Sequence, residues 1–430
     1  MKTGRYRFAV ALLLFIAGAI NYMDRAALGV AAPMVKTALE LSPSQMGLIF
    51  STFFFGYAIF AFVGGQLADR YGPVRVYSWA AGSWSVLCAL TGLATGFVTL
   101  FVVRALFGFA EGPMNSTTNR TITNWFPREE TSRTIGFTFS GQSVGAAIAA
   151  PVVGFLMLEF DWRIAFFAIG AIGLVWVVLW RHFVTDHPRE NARVDAEELR
   201  LVAASRAVSV VPQAEQSLPL LSILTRASTL SLGLGMFAVN YSLYIFISWL
   251  PTYLTDALHM DLKQMAVVAS IPWACGFVGY VGGGMVGDFA YTHMSDRLAA
   301  RKLTTIAPLA LAAVALIAVN FAPNATVAVA LIAVAVMLLT SSVQACWATI
   351  HELVSEKQVG GVSGFIHLLS NISGIIGPSA TGLAVQYLGG YDSAFIVAAA
   401  LALAGVLAMT IFVRRPDRID PPLATLSGAA

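Results

Sequence analysis

The sequence predicts an all-α integral membrane protein with twelve transmembrane helices in two pseudo-symmetric six-helix bundles. Three observations carry that prediction: the scarcity of charge, the recurrence of apolar runs of spanning length, and the side of each run on which the basic residues fall. Of 430 residues, 57% are hydrophobic and only 11% are charged, where a soluble domain carries about 25%. A helix needs about 20 mostly apolar residues to cross the hydrocarbon core. A soluble chain with this many such runs would expose apolar patches far beyond what monomers tolerate.

Taken in order, the apolar windows of the first half fall at 8–33, 44–68, 77–96, 98–122, 132–156 and 162–183. Those of the second half fall at 229–254, 264–287, 303–321, 326–349, 360–385 and 391–413. Lys2, Arg5 and Arg7 followed by an apolar run from Phe8 resemble a secretion signal. The run continues past Asp24 and Arg25 to Pro33 with no clear small-residue cleavage site, so it reads as an uncleaved first span. The expected units are a bundle over 1–183, a polar cytoplasmic linker over 184–227 with one surface helix, a bundle over 228–415, and a disordered cytoplasmic tail over 416–430.

The basic residues test the count. With the N-terminus inside and the spans alternating, 21 of the 26 Lys and Arg fall in inner segments and 3 in outer ones (Lys36, Arg163 and Lys263). Such an inner excess is what orients helical membrane proteins, and an odd number of spans in either half would destroy it. Both termini are therefore expected in the cytoplasm. The two basic residues left over, Arg25 and Arg104, lie inside spans.

The halves also echo one another. Gly65-Gln66-Leu67-Ala68-Asp69-Arg70-Tyr71-Gly72-Pro73-Val74-Arg75 follows the second span. Gly284-Met285-Val286-Gly287-Asp288 ends the eighth, with Arg297, Arg301 and Lys302 beyond it. The second copy has an insertion and no arginine directly after Asp288, so it is degenerate.

The Gly65–Arg75 segment resembles the signature loop of the major facilitator superfamily. Gly65 is expected to permit close helix approach, Gly72 to make the tight turn, and Asp69 to pair with a basic residue of a neighbouring helix, so that Gly65, Asp69, Arg70, Gly72, Arg75 and Asp288 form a gating set. Other stretches narrow the match: Asn21-Tyr22-Met23-Asp24-Arg25 leading to Val30-Ala31-Ala32-Pro33, Arg104 through Pro113 ahead of Trp125-Phe126-Pro127, Asp161-Trp162-Arg163, and Trp249-Leu250-Pro251-Thr252-Tyr253-Leu254. Together they resemble the anion:cation symporter family, which includes bacterial hexuronate, galactonate and glucarate transporters, phthalate and tartrate permeases, and animal sialin. The resemblance covers nearly the whole chain and implies a bacterial inner-membrane location.

Ionisable residues within spans are costly and mark function by default. Asp24, Arg25, Arg104 and Glu111 are the four well inside spans, while Glu352 sits at the inner end of the tenth. Arg104 and Glu111, seven apart, lie on one helical face, with Gly108 and Gly112 expected to leave room beside it. Two arginines in a low-dielectric cavity attract an anion, and their planar forks bind carboxylates bidentately. The alternative is a pair of structural ion pairs, Arg25–Asp24 and Arg104–Glu111. A carboxyl balanced between burial and a nearby arginine can load and release a proton, so Glu111 and Asp24 are the expected proton carriers, a role the resemblance also implies. Gln142, a polar residue among small ones in the fifth span, is a candidate hydrogen-bond partner of the substrate, and Tyr241 and Tyr244 of the seventh span are candidates to line the cavity. Tyr57, Trp347 and Asn371 match substrate-contacting positions by resemblance. His367 in the eleventh span is of a residue type that can titrate near neutrality, but a packing role fits it equally and it is not expected to be the coupling group.

No nucleotide-driven or hydrolytic motif stands beside these. Gly282-Gly283-Gly284 lacks a phosphate-binding lysine, and there is no His-Glu-x-x-His. Cys88, Cys275 and Cys346 each lie in a different span with no metal spacing. The expected function is proton-coupled uptake of an organic carboxylate, foremost a sugar acid (hexuronate, aldonate or aldarate), with aromatic or small dicarboxylates as the alternative. A drug exporter and a non-transporting sensor fit the charges less well. The expected partners are the carboxylate, protons (sodium being the other coupling ion) and the lipid bilayer. No enzyme activity, cofactor, metal or nucleic acid is expected, and the chain is expected to act as a monomer.

Overall fold

The computed structural model describes residues 5–207, 220–353, 356–388 and 390–414. The expected tail, 416–430, and the middle of the expected linker lie outside them. The first half comprises α1 (Tyr6–Ala38), α2 (Pro43–Tyr71), α3 (Pro73–Thr91), α4 (Phe97–Glu111), α5 (Met114–Trp125), α6 (Arg128–Glu159) and α7 (Trp162–Phe183). Two short helices follow, α8 (Ala196–Ala207) and α9 (Leu220–Leu224). The second half comprises α10 (Ala227–Asp256), α11 (Leu262–Val268), α12 (Ile271–His293), α13 (Arg297–Val319), α14 (Ala325–Leu353), α15 (Glu356–Tyr387) and α16 (Tyr391–Phe412).

Among the described residues, eleven segments are long and apolar enough to cross a membrane, with α4–α5 and α11–α12 each counting as one. The nineteen-residue α3 completes the expected twelve; Arg75 with Ser78, Ser83, Ser85, Trp79 and Trp84 makes it less apolar than those eleven segments require. The interruption of the fourth span falls at Gly112-Pro113, directly after Glu111. Proline removes a backbone donor and crowds the preceding turn, so the break is written in the sequence.

Local punctuation sets the ends. Ser42 accepts from the Gln45 amide and the Gln45 side chain accepts from Ser42, with Pro43 in the first turn, so α2 starts on a capping box. Asp261 and Gln264 start α11 on a capping box as well, while Asp161 and Asp296 cap α7 and α13 by accepting the Trp162 and Ala299 amides. Gly72 separates α2 from α3 at φ +85°, a conformation that costs glycine nothing.

Within the first half α1 packs on α6, α2 on α4 and α3 on α7; within the second, α14 lies against α12 and α13, and α16 against α10 and α13. The halves meet where α2 packs on α15, α1 on α10, and α6 on α11 and α12. These meetings are tightest at the end remote from the N-terminus. A Cβ on Gly29 would overlap the Ile247 carbonyl oxygen, and one on Gly47 would sit 2.6 Å from the Pro378 oxygen. Ser379 Oγ bonds Ser51 Oγ at 2.7 Å, and Lys36 Nζ pairs with Asp256 at 2.6 Å.

The polar stretch after α7 does hold a helix, α8, but it is not a free surface element. The buried Glu198 carboxylate accepts the Tyr6 and Arg7 amides at 3.1 and 2.9 Å, capping α1. Arg7 pairs with Glu198 at 3.2 Å and with Glu130 of α6 at 2.9 Å. A carboxylate at a helix N-terminus meets both the unpaired amides and the helix dipole.

Candidate functional site

The intramembrane charges converge on one place. Asn21, Asp24 and Arg25 share one face of α1 through their i, i+3 and i+4 spacing. Arg104 and Glu111 come from α4, and Phe53 and Tyr57 from α2. Arg25 Nη2 bonds Glu111 Oε2 at 2.9 Å, their side chains 4% and 0% exposed. The Arg25 guanidinium lies 4.8 Å from each of the ring centroids of Tyr22, Phe53 and Tyr57. Arg104 lies 5.0 Å from Phe53 and 4.7 Å from Phe107. Phe53 is thus shared by the two cations, each contact worth about 2 kcal/mol when water is excluded.

The observed pairing differs from both ion pairs considered from sequence. Arg25 bonds Glu111, not Asp24, because consecutive helical residues stand about 100° apart around the axis and do not face each other. Arg104 is not bonded to Glu111, since seven residues rise about 10 Å along a helix. The glycines of α4 also act differently from expectation. A Cβ on Gly108 would overlap the Phe53 carbonyl, and one on Gly112 would lie 2.6 Å from Phe60 Cβ. They draw α2 against α4 and so carry Phe53 in between the arginines; the room they leave is filled by α2.

Seven buried polar atoms of this cluster have no hydrogen-bond partner: both carboxylate oxygens of Asp24, Glu111 Oε1, the Nε of Arg25 and of Arg104, and both amide atoms of Asn21. Leaving such an atom unpaired costs about 1–3 kcal/mol, so a group of them in one place marks a position that takes up water, a proton or a ligand.

Polar chains extend from the cluster on both sides. Asn115 of α5 donates to the Tyr57 hydroxyl at 2.9 Å, and Gln142 of α6 donates to Asn115 at 3.2 Å. In the second half Tyr244 donates to Asn371 at 3.2 Å, Asn371 donates to the His367 carbonyl at 2.8 Å, and His367 lies 6.2 Å from Trp347. Phe54, 4.2 Å from Tyr244 between ring centroids, joins the two chains across the interface between the halves. The structure therefore brings Arg25, Arg104, Tyr57, Gln142, Tyr244, Asn371, Asp24 and Glu111 into one region, with Trp347 at its edge. Tyr241 stands apart, packed on Gly377 and Phe237.

The expected gating residues sit at the opposite end from the interlock. Asp69 pairs with Arg120 of α5 at 3.2 Å, both largely exposed. Asp288 pairs with Arg301 at 3.3 Å. Arg70 lies over Tyr71 at 5.2 Å, and Arg75 is exposed. The Gly72 turn packs under Asp186, whose carboxylate accepts the Val74 amide at 2.8 Å and so caps α3. The close helix approach falls on Gly64, which packs on Pro113, while a Cβ on Gly65 would make only ordinary contact with Ser116 at 3.6 Å.

Sequence reasoning passed over Asn21, Tyr22, Phe53 and Asn115 as site residues. Asn115 opens the polar run Asn115-Ser116-Thr117-Thr118-Asn119 inside a span. The reasoning that singles out Asn371, that an amide in a membrane needs partners, applies equally to it.

Helices of membrane-spanning length around a buried, charged centre define a polytopic transporter. The chain belongs to the Major Facilitator Superfamily, whose family model matches residues 14–292 and 277–427, a family of transporters, not enzymes. It is 39% identical to the hexuronate transporter of Bacillus subtilis (strain 168) over 95% of each chain. It is 30% identical to the probable galactarate/D-glucarate transporter GudP of Escherichia coli (strain K12), covering 97% of this chain and 96% of that one. The crystal structure of a D-xylose-proton symporter shares the fold with a TM-score of 0.76 at 15% identity, over 95% of this chain and 98% of that one.

Proposed function

We propose that the protein is a proton-coupled importer of a sugar acid, a hexuronate first among them, in a bacterial inner membrane. The observation that carries this reading is the buried Arg25–Glu111 ion pair beside the unpartnered Asp24 carboxylate. Arg25 has a planar fork suited to a carboxylate, and Glu111 occupies it. Protonating Glu111 removes its charge and frees the fork for the carboxylate of the substrate. Asp24, buried beside this pair, is the second proton carrier of the proposal. Arg104 completes the positive field. Relatives named for hexuronate and galactarate/D-glucarate transport support the substrate class.

The cycle is a rocking of two bundles, 1–183 and 228–415, about this midplane site. Placed by the positive-inside rule, both termini are cytoplasmic and the interlocked end faces outward. The arrangement is then inward-facing, and the exposed Asp69 and Asp288 lie at the opening side. Return to the outward state requires Glu111 to lose its proton inside and re-form the pair with Arg25, which stops Arg25 from holding substrate.

The test is Glu111→Gln in proteoliposomes under an imposed proton gradient. The expected result is loss of gradient-driven hexuronate accumulation with substrate exchange retained, because glutamine mimics the protonated acid. Full gradient-driven accumulation by the variant would overturn the coupling role. A thermal-shift comparison of hexuronates with cations and neutral lipophiles checks the substrate class independently, since a ligand of the folded state raises its melting temperature.

A further inference from the structure

Asn115 makes the two hydrogen bonds that give the site a direction. Its Nδ2 donates to the Tyr57 hydroxyl at 2.9 Å, and its Oδ1 accepts from Gln142 Nε2 at 3.2 Å. A hydroxyl that accepts one hydrogen bond keeps its own proton to give. The Tyr57 hydroxyl is therefore set as a donor beside the Arg25 guanidinium, which lies 4.8 Å from its ring. An amide whose nitrogen is engaged keeps its carbonyl oxygen as an acceptor. Gln142 Oε1 is therefore set as an acceptor at the far end of the chain. Reversing the Asn115 amide alone would face its Nδ2 to Gln142 Nε2, donor against donor.

We infer that Asn115 is a positioning residue that selects polyhydroxylated acids by holding Tyr57 as a donor for the carboxylate and Gln142 as an acceptor for a substrate hydroxyl. This rests on the sugar-acid reading above and says which groups of this chain read the hydroxyls. The placement is suited to it. Asn115 lies four residues after Glu111, on the far side of the Gly112-Pro113 interruption, and is half-buried where Tyr57 is 3% exposed. It reaches α2 and α6 from α5, so one side chain ties three helices of the site together. An aromatic or a plain aliphatic carboxylate has no hydroxyl proton to offer Gln142 and leaves that acceptor unpaired, which a built polar site penalises.

The experiment is Asn115→Leu, near in size and unable to hydrogen-bond, measured in proteoliposomes with D-galacturonate and with deoxy analogues lacking single hydroxyls as competitors. The wild type should bind at least one deoxy analogue about tenfold more weakly than the parent acid. In Asn115→Leu the KM for the parent should rise about tenfold with kcat within about twofold, and the preference over that analogue should collapse towards one. On a Tyr57→Phe background the same substitution should do less to KM, because the hydroxyl it orients is gone, and should still collapse the preference ratio, because Gln142 is still released. A merely structural role would lower the amount of active protein and leave the preference ratio intact. An unchanged ratio in Asn115→Leu, or additive effects with Tyr57→Phe, overturns the inference while leaving the sugar-acid reading standing. A wild type that takes up no hexuronate overturns both.

Discussion

The two ends of the molecule are held by different physics. At the end remote from the N-terminus the halves touch backbone to backbone: Gly29 on the Ile247 carbonyl, Gly47 on Pro378, Gly382 on Pro43. One ion pair, Lys36–Asp256, and the Ser44–Gln386 and Ser51–Ser379 bonds accompany these contacts. At the end carrying the Gly65–Arg75 segment, Asp69 pairs with Arg120 and Asp288 with Arg301, each within one half, with Asp69 66% and Asp288 78% exposed; the less exposed Arg7 pairs there with Glu130 of α6 and Glu198 of α8. Glycine contacts close an end by shape, where a single added carbon matters. Exposed charges contribute about 0–1 kcal/mol per pair and can exchange partners cheaply. A carrier that opens at either end in turn can use both: shape makes one closed state definite, and weak charges keep the other from being a trap.

The sharpest way to break that comparison is to put a side chain at the shape-closed end. Gly29→Leu must push α1 off α10, because even its Cβ has no space against Ile247. Uptake should fall below about a hundredth of wild type. In a cysteine-free background (Cys88, Cys275 and Cys346 replaced), a Ser51→Cys probe should pass from protected to reactive towards a membrane-impermeant thiol reagent. Protection equal to the parent in a folded Gly29→Leu protein would show that this contact is not what seals the end.

A smaller effect is expected from the ion pair at that same end. Lys36 and Asp256 are 24% and 38% exposed and bridge the two halves, so Asp256→Asn acts directly on the balance between states. A partly exposed pair is worth up to about 1 kcal/mol, a shift of about fivefold at most. The KM should move by that factor or less, and the difference from wild type should shrink as ionic strength rises. A loss as large as that of Gly29→Leu would mean that charge, not shape, closes the end.

The fold was legible because each feature that sets it is local in the sequence. The apolar runs give the spans, Pro43, Gly72-Pro73 and Asp161 mark where helices begin and end, and the inner excess of Arg and Lys requires an even count in each half. The identity of the charged residues was legible for the same reason, since Asp24, Arg25, Arg104 and Glu111 stand out against apolar neighbours. Their pairing was not. Whether Arg25 meets Asp24 or Glu111 depends on how α1 and α4 are turned, and that follows from fits between helices that neither sequence contains alone: Gly141 and Gly145 of α6 against α1, and Gly108 and Gly112 of α4 against α2. The role of Gly64 against Pro113, with Gly65 idle, escaped for the same reason. Phe53 escaped because an aromatic in an apolar helix carries no mark of its own until the neighbouring helices are in place; Asn115 carried the mark of an amide within a span, but its partners come from α2 and α6.

The smallest effect is expected at the end held by charge, and it tests whether those pairs exchange. Asp69 and Arg120 belong to the same half, so their bond does not itself oppose movement of one half against the other. If Arg120 only shelters Asp69 in this state, and Asp69 turns to a basic residue of the other half when the end closes, then the two partners are unequal. Arg120→Gln should leave the transport rate within about twofold of wild type, because water replaces an exposed guanidinium at little cost. Asp69→Asn should slow it several-fold more, because it removes the charge in both states. The two rates, measured side by side in proteoliposomes at equal protein, decide the matter. Equal losses would place the working contact within the first half and remove the partner exchange from the mechanism, leaving the loop as a brace for α2 and α5.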